Sequence, residues 1–81
     1  MASERDKNPD RIRRMVRRAC THREMRDLLL EVIDSGAPMR LTSDGVLVYG
    51  PQGRAGTHFT CSDVRAAKNF RSALRRIGAM P

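Results

Sequence analysis

Two histidines, two cysteines and sixteen cationic side chains are where this chain can do chemistry. His58 follows Gly56 and Thr57 in the stretch GTHFTCSD, at the edge of a short apolar run. An imidazole there can transfer a proton only if a positioned partner tunes it. Period-two alternation puts Phe59 and Cys61 on one face of a strand and His58 and Thr60 on the other. Helices should cover the Phe59 face, so His58 turns outward, with no acid or second histidine expected beside it. His58 is therefore read as a surface strand residue, and proton transfer by it as the lesser alternative. Cys20-Thr21-His22 and His58-Phe59-Thr60-Cys61 also hold the inventory of a zinc site. Their spacing does not suit one. The first falls at a helix break, and on a flat strand His58 and Cys61 point to opposite faces. Neither a metal nor a cofactor is expected. Gly50-x-x-Gly53-x-x-Gly56 lacks the Gly-Lys-Ser/Thr of a nucleotide-binding loop and reads as a hairpin loop.

The cations carry more information. The chain has a net charge of +7, and only Lys7 and Lys68 are lysine. Arginine forks match phosphate geometry better than ammonium groups do. Residues 1–26 hold nine bases and four acids, residues 27–63 two bases and five acids, and residues 64–81 five bases and no acid. In the last segment Arg65, Lys68, Arg71, Arg75 and Arg76 fall on one arc of a helix. A solvated face normally mixes signs, and this one does not. These five, with Arg54 from the hairpin loop, are the expected nucleic-acid-binding residues. An acidic protein surface is the other use of such a patch.

These side chains need elements to hold them. Eighty-one residues allow a single small domain. Residues 1–8 have no apolar period and read as a disordered tail. Asn8-Pro9-Asp10 is a helix start. Ile12, Met15, Val16, Ala19 and Cys20 form a stripe that Met25, Leu28, Leu29, Val32 and Ile33 do not continue in phase. Two helices follow, over 9–20 and 22–34, with Thr21-x-x-Glu24 as a capping box. Met39–Thr42, Val46–Tyr49 and Thr57–Cys61 read as three antiparallel strands. Asp44-Gly45 signals the first hairpin, and Arg54-Ala55-Gly56 prolongs the second loop. Ser62 or Asp63 caps a last helix over 63–77, whose Ala67, Phe70, Leu74 and Ile77 make the buried stripe. The expected class is α+β, ordered α-α-β-β-β-α, with helices on one face of the sheet. No signal peptide or membrane span precedes or interrupts these elements, so a reduced cytoplasmic protein is expected.

Ser62-Asp63-Val64-Arg65, then Asn69, then Leu74-Arg75-Arg76-Ile77-Gly78 resembles the tail of HicA-like proteins, in particular small ones of actinobacterial phages. The resemblance covers about residues 22–80 and implies the double-stranded-RNA-binding-domain fold. Residues 9–20 would be an added N-terminal helix, with a homodimer through it as one use. HicA toxins, members of toxin–antitoxin pairs, are metal-independent messenger-RNA ribonucleases with a Gly-Ser-His early in the sheet. Aligning the shared tail puts that motif at Asp44-Gly45-Val46, where the histidine is missing. The expectation is thus a non-catalytic phage-type module that binds nucleic acid, RNA before DNA. The alternatives are a phage effector that binds a host protein and a divergent ribonuclease using His58.

Overall fold

The computed structural model describes residues 7–60 and 65–80. Its elements are α1 (Pro9–Ala19), α2 (Arg23–Asp34), β1 (Met39–Leu41), β2 (Gly45–Gly50), β3 (Gly53–His58) and α3 (Arg65–Arg76). Asn8 caps α1 by accepting the Asp10 amide on Oδ1 at 2.9 Å, with Pro9 in the first turn. Most of the expected tail, and the expected cap at Ser62 or Asp63, lie outside the described residues.

The break between α1 and α2 falls where the apolar stripe changes phase, but its cap differs from the expected one. His22 is the N-cap, and its Nδ1 accepts the Met25 amide at 3.4 Å. Thr21 is exposed. The reason lies in Cys20, which is buried with its Sγ 3.6 Å from the His22 carbonyl oxygen. Burying Cys20 fixes the chain's turn and brings His22, one residue after Thr21, into the capping position. Gly36, at φ 81°, closes α2 in the left-handed region that favours glycine.

The sheet is antiparallel, in the order β1-β2-β3. Met39 pairs with Val48, Leu41 with Val46, Val46 with Thr57 and Val48 with Ala55. These residues line the face under the helices, where the Thr57 hydroxyl reaches the Met25 sulfur at 3.9 Å. The second hairpin departs from expectation. Its connection is only Pro51-Gln52, and Arg54-Ala55-Gly56 is strand rather than loop. His58 ends β3, and Phe59 is buried beyond it in a turn. Cys61 lies outside the described residues.

α2 packs against both α1 and α3, α1 also rests on β1, and α3 on β3. One apolar core results, with Val16, Met25, Leu29, Val32, Val48 and Leu74 fully buried. No described helix is long and apolar enough to cross a membrane.

Candidate nucleic-acid interface

α3 is amphipathic because Ala67, Phe70 and Leu74 turn into the core while the cations turn out. Its C-terminal end is tied to the β2–β3 hairpin. The Gln52 amide donates to the Ile77 carbonyl at 3.0 Å. Gly50 lies so close that a Cβ there would meet the same carbonyl oxygen at 2.2 Å. This docking sets Arg54, on β3, at the same end of the molecule as Arg75 and Arg76. All three are exposed, and none is ion-paired to another described residue. The hairpin and helix end that meet here, residues 49–54 and 75–80, contain no aspartate or glutamate.

The expected arc is not uniform. Arg71 is half-buried and held by Glu31 of α2, Nη2 to Oε2 at 3.2 Å. Glu24, Asp27 and Glu31 of α2 line a groove whose other wall carries Lys68 and Arg71. The α2 side of the arc is thus partly neutralised, while Arg75 and Arg76 at its end are not. Arg65 is exposed in the first turn. Asp34 of α2 holds Arg13 of α1 in the same way, leaving Arg11, Arg14, Arg17 and Arg18 exposed on a second basic helix. Exposed pairs such as these contribute little stability. Their effect is on the surface field, because they cancel the cations nearest α2.

His58 faces the sheet's open side, as expected, but it has a partner. Its Nδ1 lies 2.9 Å from Asp44 Oδ2, with the two side chains 68% and 60% exposed. The β2–β3 register puts His58 opposite Gly45, next to Asp44 in the chain. The expectation of no acid nearby is therefore corrected. The error came from the strand's bounds, since only the true register joins these two residues. His22 is occupied as a helix cap, and no second imidazole or metal-binding cluster stands by His58 among the described residues. No family model, curated protein or solved structure matches the chain.

Proposed function

We propose that this protein binds nucleic acid without cleaving it, through Arg75, Arg76 and Arg54, with Arg65 and Lys68 extending the contact along α3. One observation carries this reading: Arg75, Arg76 and Arg54 are exposed, none is ion-paired to another described residue, and they stand where the β2–β3 hairpin meets the end of α3, in residues 49–54 and 75–80 that hold no carboxylate. Guanidinium groups there meet phosphates without first displacing an internal acid. Duplex RNA suits the surface better than a sequence-read site. The cations stand on a helix and a hairpin that offer forks to a backbone, and double-stranded RNA is recognised mainly through backbone and shape. The α-β-β-β-α order over residues 23–76 and the HicA-like tail support the same assignment.

Three to four phosphate contacts release counterions, so log Kobs for a duplex RNA should fall with log salt at a slope of about −3. Fluorescence anisotropy across 50–300 mM salt measures it (roughly the range over which such contacts are screened). An affinity independent of salt contradicts the proposal.

A second reading rests on the Asp44–His58 pair. A carboxylate at Nδ1 orients an imidazole and leaves Nε2 outward, the arrangement used for proton transfer. In this reading the chain is a divergent ribonuclease. Incubated with messenger RNA, it would produce cleavage that His58→Ala abolishes. Cleavage that persists in His58→Ala rejects the reading.

A further inference from the structure

A cleft of about 580 Å³ opens at the β1 edge, with Tyr49, the cross-strand partner of Arg54, in its lining. Its walls come from the start of α1, the end of α2 and the α2–β1 connection: Pro9, Ile12, Ile33, Ala37, Pro38 and Met39. Lys7, Arg40 and Tyr49 complete the lining at the edge of the sheet. Arg40 is half-buried, yet no hydrogen bond or ion pair joins its guanidinium, the Lys7 ammonium or the Tyr49 hydroxyl to another described residue. Among the described residues, no carboxylate lines the cleft.

We propose that this cleft binds a small amphipathic anion: an apolar body of hydrocarbon or aromatic rings bearing one carboxylate. The volume is that of a site for a small organic molecule. The walls accept apolar surface and offer few hydrogen bonds, so a nucleobase would lose its water partners without replacement. The two unpaired cations supply the charge complement, and the Arg40 fork fits a carboxylate in two-point contact. The head belongs beside Lys7 and Arg40, near the amide end of α1. The body lies along Ile33 and Ala37, by the carbonyl end of α2, where a negative charge would be repelled. None of these residues belongs to the proposed phosphate-binding set, so either assignment can fail alone.

Titration of the full chain with 2-naphthoate and, separately, dodecanoate, followed by ¹H–¹⁵N correlation spectra, tests the site. At least one anion should bind saturably near 0.1 mM. Shifts should concentrate at Lys7, Gly36, Met39, Arg40 and Tyr49. Arg40→Gln should weaken binding about tenfold, and neutral 2-naphthamide should bind the unaltered protein weaker by a similar factor. That last comparison does not depend on how a variant folds. Failure of both anions to saturate, equal affinity for naphthoate and naphthamide, or shifts scattered over the surface would overturn the proposal. So would shifts at the same amides on raising protein concentration alone, which would assign the cleft to a second copy of the chain.

Discussion

Gly45→Ala should cost about 3 kcal/mol or more and lower Tm by about 15 °C in a domain of this size. Gly45 stands opposite His58 in the β2–β3 ladder. A Cβ there would lie 1.9 Å from the Thr57 carbonyl oxygen and 2.8 Å from the His58 Cα. Both atoms belong to the backbone, so no side-chain rotation makes room. The strands must part, and Val46–Thr57, the adjacent core pair, parts with them. Gly36→Ala is the matched control. Its φ of 81° also disfavours alanine, but nothing lies within 4 Å of the added methyl, so its cost should stay near 1 kcal/mol. Thermal unfolding of both variants measures the difference. Equal losses would show that the close approach of the strands is not what glycine serves at position 45.

The second result concerns the arginine end. Reversing Arg75 and Arg76 together to glutamate should weaken duplex RNA binding by about a hundredfold or more near 0.1 M salt. This follows from two charge-assisted contacts at about 1.5 kcal/mol each. The salt slope should drop by about two. The helix itself should lose only about 1 kcal/mol from placing acids at its carbonyl end, so circular dichroism should report a folded protein. Arg71→Ala should change affinity less than about threefold, because Glu31 already holds that guanidinium and screens it from a polyanion. A loss at Arg71 equal to that at Arg75 and Arg76 would relocate the contact to the α2 side of the helix.

This contrast marks where sequence reading stops. The arc of five cations on α3 follows from helical spacing alone, and so does the buried stripe of Ala67, Phe70 and Leu74. Glu31 joins the picture only through the packing of α2 on α3, which spacing within α3 cannot disclose. The two-helix start was readable because the stripe of Ile12 and Val16 is out of phase with that of Met25, Leu29 and Val32. The cap falls one residue later than the pattern implies: Thr21 fits the capping box, while the burial of Cys20 decides the turn and makes His22 the cap. β3 is the larger miss. Gly53, Arg54, Ala55 and Gly56 have poor strand propensity, and they read as loop. Tertiary context overrides that preference: the ladder to β2 and the hairpin's bond to Ile77 hold them extended. The Asp44–His58 pair went unseen for the same reason.

The acids of α2 have an effect beyond the two ion pairs they make. Glu24, Asp27 and Glu31 run along the middle of the helix layer, with α1's arginines on one flank and α3's on the other. A polyanion laid flat across all three helices would meet repulsion at its centre. Discrimination among binding poses comes from such unfavourable contacts as much as from favourable ones. If the protein binds a polyanion as proposed, this row of acids disfavours the broadside approach that the overall charge invites. On the proposed reading, a phosphate backbone is expected at the tip where the β2–β3 hairpin meets the last turn of α3.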